Sequence, residues 1–303
     1  MNETAPYPAT VLITTKNRRD ELRNALHSVV AQSIAVEVLV IDDGSNDGTF
    51  EMVRTEFPAA RVVRHEQSQG LIARRNEGVT AASANIVISI DDDAALSSTE
   101  VVRTTLTEFD DDRIGAVAMP YIDVNRDARV RQRAPATDTG YATDRFIGTA
   151  HALRRDVFLR IGGYRDGLVH QGEEGDYCLR MLDAGFLVRL GNADPIHHFE
   201  SPRRDFRRMD FFGVRNAVVF VWQNVPMPYL LWHWPVLMVR ALLHTLQPAR
   251  LWTRASGLAA GIVRCFAVAR MPVSRHTYLL SRHLAAGPQP ISALPRQMRA
   301  SGA

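Results

Sequence analysis

Cysteine is scarce in this 303-residue sequence, which contains only Cys178 and Cys265, and neither has a Cys-x-x-C partner. Two isolated cysteines indicate neither a disulfide framework nor a thiolate zinc site, so a reducing, cytoplasmic compartment is expected. A secretory signal is not expected either, because Met1–Ala9 carries no basic stretch and no apolar run. With 46% hydrophobic residues, the chain can bury one large core.

Acidic side chains are nearly absent from the last third of the chain. Residues 201–303 contain 2 acidic and 14 basic side chains, a net charge of +12, whereas residues 1–200 contain 31 and 22, a net charge of −9. The two parts are therefore expected to face different partners. The basic part has no RNP, zinc-finger or recognition-helix signature, so the expected partner is an anionic membrane surface and not nucleic acid.

A run of 24 residues without Asp, Glu, Lys or Arg, Asn216–Val239, lies in this basic part and contains Pro226, Pro228 and Pro235. All four tryptophans lie in this run or just beyond it: Trp222, Trp232, Trp234 and Trp252. Because the prolines oppose a regular spanning helix, we expect a peripheral segment at the inner face of the cell membrane. The alternative is a helical subdomain that packs on the core or on a second copy.

Short β-branched runs alternate with amphipathic stretches over the first 120 residues, as in a parallel sheet with crossover helices. The predicted strands are Thr10–Thr14, Val36–Ile41, Arg61–Arg64, Asn85–Ile90 and Gly115–Met119. The predicted helices are Arg19–Gln32, Leu71–Ala82, one that begins near Arg155, and Glu173–Ala184. In such sheets ligands bind beyond the carboxyl ends of the strands, so the polar residues there form the expected site.

Three consecutive carboxylates, Asp91–Asp93, follow one of the apolar strands. They repel one another unless they share a cation or point into solvent. Mg²⁺ or Mn²⁺ needs only one or two protein carboxylates besides phosphate oxygens, so alternate aspartates suffice. The motif therefore predicts a metal and donor site, with a solvated turn that caps the next helix as the alternative.

A second acidic segment, Asp42–Thr49, also follows a predicted strand. Its Asp, Gly and Ser residues suit a tight turn that leads into a helix. A carboxylate in this position could instead accept a hydrogen bond from a nucleotide base or from a ribose hydroxyl.

The ordered set of motifs resembles family 2 glycosyltransferases of the GT-A fold. The segments that carry the resemblance are Thr14–Arg18, Val40–Ser45, Ala73–Gly78, Ile90–Asp93, Ile161–Tyr164 and Gly172–Arg180. The resemblance spans residues 10 to about 200 and implies an α/β GT-A nucleotide-diphospho-sugar transferase fold. Its central sheet would be mostly parallel, and a helical extension would follow it.

The resemblance also implies how the chain is divided. A catalytic domain would occupy residues 1–205, with a nucleotide-binding half at 1–120 and an acceptor half at 121–205. A basic, aromatic-rich helical extension would occupy 206–303. Within the acceptor half, the aperiodic segment Tyr121–Tyr141 is predicted to order over a substrate, and the tail after Gly287 is predicted to fray.

The resemblance implies a set of nucleotide-sugar contacts: Thr14, Arg18, Asp43, Arg75, Asp91 and Asp92. The first three would line the base pocket, and Asp91 would approach the ribose. Arg75 has an alternative interpretation as an exposed helix arginine. Asp93 would ligate the metal that bridges the diphosphate.

A histidine pair offers a further metal ligand. His198 is preferred to His197, which would point to the opposite side of an extended segment. A structural role for the pair is the alternative. The next segment, Ser201–Arg204, offers guanidinium groups to a diphosphate, or forms a solvated basic turn.

Inverting transfer requires a carboxylate within hydrogen-bond reach of the acceptor hydroxyl. In the family this base is usually the Asp of a Glu-Asp pair at the start of a helix, and the matching pair here is Glu173–Glu174. We predict Glu174 as the base, with Glu173 as the alternative. Two acids that are merely favoured by a helix N-terminus are the structural interpretation.

These features predict an inverting, metal-dependent transferase that moves a hexosyl or deoxyhexosyl group in glycan or glycolipid assembly. The donor would be a UDP-, dTDP- or GDP-sugar, and the acceptor a hydroxyl of a saccharide or of a lipid-linked molecule. A nucleotidyltransferase is one alternative, although Thr14–Arg18 lacks the glycines of a pyrophosphate loop. A non-catalytic nucleotide-sugar-binding protein is the other. The sequence leaves the oligomeric state open.

Overall fold

A computed structural model describes residues 7–200, 205–243 and 247–295 of the chain. Its strands are β1 (Thr10–Thr15), β2 (Glu37–Asp42), β3 (Arg61–Arg64), β4 (Ile86–Asp91), β5 (Ala94–Ala95), β6 (Ile114–Ala118), β7 (Tyr121–Asp123), β8 (Tyr141–Thr143), β9 (Ala150–Arg154), β10 (Leu187–Leu190), β11 (Ile196–His198) and β12 (Gln289–Pro290). Its α-helices are α1 (Arg19–Val30), α2 (Thr49–Glu56), α3 (Leu71–Ala81), α4 (Val101–Thr107), α5 (Arg155–Ile161), α6 (Glu173–Asp183), α7 (Phe206–Asn224), α8 (Leu230–Leu243), α9 (Pro248–Ala267) and α10 (Arg275–Ala286).

A nine-stranded sheet forms the centre of the molecule, in the order β12-β8-β10-β6-β9-β4-β1-β2-β3. The strands β3, β2, β1 and β4 pair in parallel, as predicted for the first half, and β6 is parallel to β10. The strand β9 runs antiparallel between β4 and β6, and the pairings of β8 are antiparallel too. The sheet is therefore mixed beyond β4, because β9 lies between β4 and β6, which are successive strands in the prediction from sequence.

The predicted elements of the first half form where the pattern placed them. The strand Arg61–Arg64 is found with the predicted bounds, and the other four predicted strands shift by one residue at one or both ends. Burial on both faces of the sheet explains the uninterrupted apolar runs: all six residues of β1 are buried, and helices cover both faces. This arrangement lets the carboxyl ends of β1, β2 and β4 meet at one edge.

A second, three-stranded sheet in the order β5-β11-β7 lies beside that edge. Its register pairs His198 of β11 with Ala94 of β5 on one side and with Asp123 of β7 on the other. Because β5 begins directly after the acidic triplet, this small sheet carries the histidine to the aspartates.

The C-terminal helices pack on one another through glycines. A Cβ atom at Gly257 of α9 would overlap the backbone of Phe211 in α7, and one at Gly261 would lie 2.8 Å from Val218 Cβ. These glycines therefore allow α7 and α9 to approach closely. The helix α8 contains Pro235 in its interior, so this proline does not interrupt the helix, whereas Pro226 and Pro228 lie between α7 and α8. Within the described ranges, no helix has the length and apolarity needed to cross a bilayer.

The described part of the C-terminal tail packs on the main sheet, so the prediction that it frays after Gly287 is wrong for residues 288–295. The strand β12 pairs with β8 at the edge of the main sheet. Ile291 and Leu294 are buried in the main hydrophobic core, and Arg113 donates a hydrogen bond to the Leu294 carbonyl. The division at residue 205 accordingly separates two segments of sequence that share one core.

Candidate active site

A cavity of about 620 Å³ opens at the carboxyl ends of β1, β2 and β4. Of the residues predicted from the sequence, those that line it are Thr14, Arg18, Asp43, Asp91, Asp92, Asp93 and His198. The predicted nucleotide, donor and metal residues are thus brought together at one edge of the sheet, with the exception of Arg75.

Three side chains in this cavity form a group that could hold a metal ion. One ligand atom from each of Asp91, Asp93 and His198 lies within 4.8 Å of the others, and His198 Nε2 is 3.3 Å from Asp93 Oδ1. Two carboxylate oxygens and one imidazole nitrogen are suitable donors for Mn²⁺ or Mg²⁺. Asp91, which was expected at the ribose, belongs to this group as well.

The histidine is oriented by a residue that the sequence did not indicate. His198 Nδ1 lies 2.6 Å from Asp123 Oδ1, and because a carboxylate only accepts, Nδ1 carries the proton and Nε2 faces the aspartates. Burial lowers the pKa of His198, but Asp93 and Asp123 outweigh it and raise the pKa to about 9. A carboxylate behind a histidine is a common support of metal-ligating imidazoles.

Arg18 lies against two members of the acidic triplet. Its Nη1 donates to Asp93 Oδ2 at 2.5 Å and to Asp92 Oδ1 at 3.2 Å. Asp92 also accepts from the Thr15 hydroxyl at 2.8 Å, and burial raises the pKa of Asp92 to about 7. The carboxylate of Asp92 is therefore directed to the chain itself, although the residue lines the cavity.

Asp43 lines the cavity, but its carboxylate is occupied by the chain. It accepts from the Ser68 hydroxyl, from the backbone amides of Gln69 and Gly70, and from Arg74 Nε at 2.7 Å. Burial raises the pKa of Asp43, yet these hydrogen bonds outweigh it and hold the pKa below its ordinary value. The structure thus shows Asp43 fixing the turn that forms the cavity wall.

Arg75 lies beneath the cavity and not on its wall, and its contact with the nucleotide stays a prediction. The residue is 2% exposed, which also excludes the alternative of an exposed helix arginine. Its Nη2 donates to Asp91 Oδ1 at 2.7 Å and to the Gly148 carbonyl at 2.9 Å. The neighbouring Arg74, which was not among the predicted site residues, does line the cavity.

The two glutamates at the start of α6 face the same arginine. Arg75 Nη1 is 3.7 Å from Glu173 Oε1 and 3.9 Å from Glu174 Oε1. Glu173 is buried, and its Oε2 has no hydrogen-bond partner. Burial, and then the charge of Glu174, raise the pKa of Glu173 to about 7, while burial raises the pKa of Glu174 against the opposing effect of Arg75.

Glu174 opens into a second cavity, of about 360 Å³. Apolar walls come from the 145–147 segment and from α7, and the residues concerned are Phe146, Ile147, Ala217 and Phe220. Gln171 lines both cavities, so they adjoin at this residue. Glu174 is thus the accessible member of the pair.

The segment that precedes α6 is held in an uncommon backbone conformation. Val169 and Gln171 have φ angles of 65° and 68°, a region that non-glycine residues seldom adopt and that often marks functional sites. Both residues line the larger cavity. The segment Tyr121–Tyr141 was predicted to order over a substrate, but its residues 124–140 line neither cavity. The segment Ser201–Arg204, predicted to offer guanidinium groups, lies outside the described residues.

Comparisons with solved structures place this architecture in a known class. The mannosyltransferase PcManGT from Pyrobaculum calidifontis, solved in complex with GDP-Man and Mn²⁺, aligns with a TM-score of 0.57 and 23% identity over 94% of this chain and 82% of its own. Residues 1–349 of TarS from S. aureus, in complex with UDP-GlcNAc, align with a TM-score of 0.62 and 14% identity over 91% and 88%. The fold is that of the GT-A glycosyltransferases.

The chain belongs to glycosyl transferase family 2, whose profile matches residues 10–165. A pre-mycofactocin glycosyltransferase of Mycobacterium tuberculosis is 27% identical over 70% of this chain and 47% of its own length. Glycosyltransferase AglE of Haloferax volcanii is 25% identical over 63% and 66%, and the O-antigen chain rhamnosyltransferase RfbN of Salmonella typhimurium is 24% identical over 69% and 72%. The chain thus spans about half of the first of these relatives.

Proposed function

We propose that this glycosyltransferase transfers a sugar, with inversion, from a nucleoside diphosphate sugar to an acceptor hydroxyl. The observation that carries the proposal is the placement of Glu174 in a cavity that adjoins the cavity of Asp91, Asp93 and His198. One cavity offers the ligands of a metal-bound diphosphate, and the other offers a base to an acceptor. Family membership favours this activity over the nucleotidyltransferase alternative.

The donor would bind in the larger cavity. Thr14 of β1 and Lys16, directly after that strand, line this cavity. Arg18, Arg74 and Arg208 add positive charge to walls that also carry carboxylates. A nucleoside diphosphate requires such mixed surroundings, because its base and ribose need hydrogen bonds and its phosphates need cations. The neighbours solved with GDP-Man and UDP-GlcNAc support a nucleotide sugar as the donor. UDP-, dTDP- and GDP-sugars all remain candidate donors.

The metal would be Mg²⁺ or Mn²⁺, held by Asp93 and His198 with Asp91 beside them. Its chemistry would be to neutralise the charge that develops on the departing diphosphate. The chain prepares the ligands for this: Asp123 keeps the His198 proton on Nδ1, and Arg75 fixes Asp91. Arg18 offers a further cation, since its guanidinium already lies against Asp93.

Glu174 would act as the base. The acceptor oxygen forms its bond to the anomeric carbon on the face opposite the diphosphate, the bond from that carbon to the diphosphate oxygen breaks, and Glu174 takes the hydroxyl proton. The raised pKa of Glu174 suits this role, because a carboxylate that titrates nearer neutrality is a stronger base. Glu173 is the alternative base, but it is buried, whereas Glu174 lines the second cavity.

The acceptor would enter the second cavity. The polar side chain of Gln171 there can hold a hydroxyl, while Phe146 and Phe220 offer apolar contacts to the rest of the molecule. This composition suits a saccharide that carries an apolar group, or a lipid-linked acceptor, as in glycan or glycolipid assembly. RfbN, named for O-antigen chains, is a relative whose role is of this type. The unpaired cysteines, Cys178 and Cys265, agree with an enzyme of the reducing cytoplasm.

The metal-dependent donor site is tested by calorimetry with UDP, dTDP and GDP, with and without Mn²⁺. We expect at least one of these nucleotides to bind only with the metal, and Asp93→Ala to abolish that binding, because the diphosphate would then face the carboxylates without a cation. Asp20→Ala, which changes an exposed residue on α1, is the matched control and should bind as the wild type does. Tight binding of all three nucleotides without metal would overturn the metal role.

The donor is identified by a thermal-shift panel of nucleotide sugars, because a ligand that binds the native state raises the melting temperature.

A further inference from the structure

The helix α8 is apolar on the side that faces away from the rest of the molecule. Its inward side consists of Leu230, Trp234, Leu237 and Ala241, of which the first three belong to a small hydrophobic cluster with α7. The opposite side presents Trp232, Val236, Val239 and Leu243, and the indole of Trp232 is 77% exposed. Residues at these spacings share one face of a helix, so α8 carries a second apolar stripe that nothing in the described chain covers.

The helix α9 has the same unusual construction. Gly257, Gly261 and Cys265 face α7 and are buried. Trp252, Val263 and Phe266 lie on the opposite side, and Trp252 and Phe266 are 76% and 91% exposed. Arg254 Nε of α9 donates to the Ala241 carbonyl of α8, so the two helices are in direct contact. We call these seven outward residues of α8 and α9 the outer apolar face.

The region around the outer apolar face is almost free of negative charge. Between residues 205 and 295 the sequence contains two acidic residues, Asp205 and Asp210. Asp210 is buried and paired with Arg250 and Arg254, and Asp205 lies at the start of α7, where it lines the donor cavity. Exposed basic side chains in the same region include Arg240 on α8 and Arg275 and Arg282 on α10.

The outer apolar face and the excess of exposed arginines together indicate what kind of surface this part of the protein contacts. A second copy of the chain would bring the exposed arginines of this region against one another, which opposes association through like charges. An anionic bilayer satisfies both properties at once, since tryptophan and aliphatic side chains enter the interfacial region and arginine pairs with headgroups. The helix α8 has 14 residues, shorter than the roughly 20 that span a bilayer, so it would lie along the surface.

We propose that the outer apolar face of α8 and α9 docks the enzyme on an anionic membrane surface, with Trp232, Trp252 and Phe266 inserted at the interface. The proposal is independent of the transfer reaction, because none of these residues lines either cavity. Only two of the four tryptophans take part. Trp222 and Trp234 contact each other with ring centroids 5.8 Å apart and belong to the inner cluster.

Flotation of the full chain with vesicles tests the docking. We expect the wild type to float with vesicles of 70% phosphatidylcholine and 30% phosphatidylglycerol at low salt and to be partly released at high salt. Vesicles of phosphatidylcholine alone should bind less. The variant Trp232→Ser/Trp252→Ser/Phe266→Ser should reduce the bound fraction by about tenfold, because the groups that enter the interface are gone. The matched control Val30→Ser/Leu159→Ser removes exposed apolar side chains from the catalytic part and should float normally.

Tryptophan emission provides an independent readout. On addition of the anionic vesicles, the emission of the wild type should shift to shorter wavelength. In Trp232→Phe/Trp252→Phe the shift should vanish while flotation persists, because Trp222 and Trp234 are already packed. The proposal is overturned if the wild type stays with the soluble fraction at low salt, or if it floats equally with neutral vesicles at every salt concentration. If the wild type does not float, is a dimer in light scattering, and becomes a monomer in the triple serine variant, the face binds a second copy of the chain.

Discussion

Asp123 and His198 are 75 positions apart in the sequence, yet the Asp123 carboxylate lies 2.6 Å from the His198 ring. The register of β7 with β11 places the two residues opposite each other. The ring is therefore fixed with Nε2 toward Asp93, at 3.3 Å. Asp123 thus determines that Nε2 of His198 faces the acidic triplet.

The first prediction concerns this aspartate. Asp123→Asn should weaken Mn²⁺ binding by about 10- to 100-fold, because an amide no longer fixes the protonation and orientation of the imidazole. Titration of the metal, followed by electron paramagnetic resonance, measures the change. Asp123 and Asp127 both form an ion pair with Arg131, but Asp127 is exposed. Asp127→Asn is therefore the control. Equal metal affinity of wild type and Asp123→Asn would show that the contact is structural only.

The second prediction separates the two glutamates. Glu174→Gln should retain metal-dependent nucleotide binding and lose turnover by roughly 10²- to 10⁴-fold, the scale of a positioned general base. Because burial raises the pKa of Glu174, the acid limb of the wild-type pH–rate profile should lie above the ordinary glutamate value of about 4.3. If Glu173→Gln is inactive while Glu174→Gln turns over normally, the base is Glu173.

The third prediction concerns stability at Glu173. Its pKa is raised to about 7 in the folded protein by burial and by Glu174, against about 4.3 in the unfolded chain. The folded state therefore holds a proton that the unfolded state has lost, and the stability of the wild type falls as pH rises from about 4 to about 7. Glu173→Gln removes this effect, so its free energy of unfolding should exceed that of the wild type by roughly 1–3 kcal/mol at pH 8 and by little at pH 4.

Urea denaturation at the two pH values measures that difference. Glu51→Gln, an exposed glutamate on α2, is the control and should change little at either pH. A Glu173→Gln protein that is less stable than the wild type at pH 8 would contradict the prediction. It would mean that attraction to Arg75 exceeds the cost of burying the charge.

The fourth prediction concerns Gly148, which packs against the carboxylate of Glu174, the proposed base. A Cβ atom there would overlap Glu174 Oε1 and come within 2.7 Å of Arg75 Nη1. Gly148→Ala should therefore displace both groups and lower kcat by about 10²-fold, because a small misplacement of reacting groups is costly. Nucleotide affinity should fall less than kcat, because Gly148 acts on the proposed metal group only through Arg75, which holds Asp91. Gly287→Ala, where a Cβ meets no atom within 4 Å, is the control, and unaltered turnover of Gly148→Ala would show that Glu174 can shift without loss.

The sequence was most informative where a residue's environment follows from its neighbours along the chain. The strands β1 to β4 and β6 were predicted to within about one residue, because buried strands between helices are continuous apolar runs. Asp91–Asp93 were predicted to form a metal and donor site, because consecutive carboxylates repel one another unless they share a cation or point into solvent. In contrast, β9 and β12 were not predicted, and their pairing partners lie far away in the sequence.

The sequence by itself therefore determined the family, the first half of the sheet and the acidic edge at which the site lies. Tertiary structure alone decided which of two adjacent residues acts there: Arg74 reaches Asp43 and Arg75 reaches Asp91, since successive side chains on α3 point to different elements. It also paired Asp123 with His198 and divided the tryptophans into two packed and two exposed. These outcomes depend on register and on helix rotation, which long-range packing sets and local sequence does not.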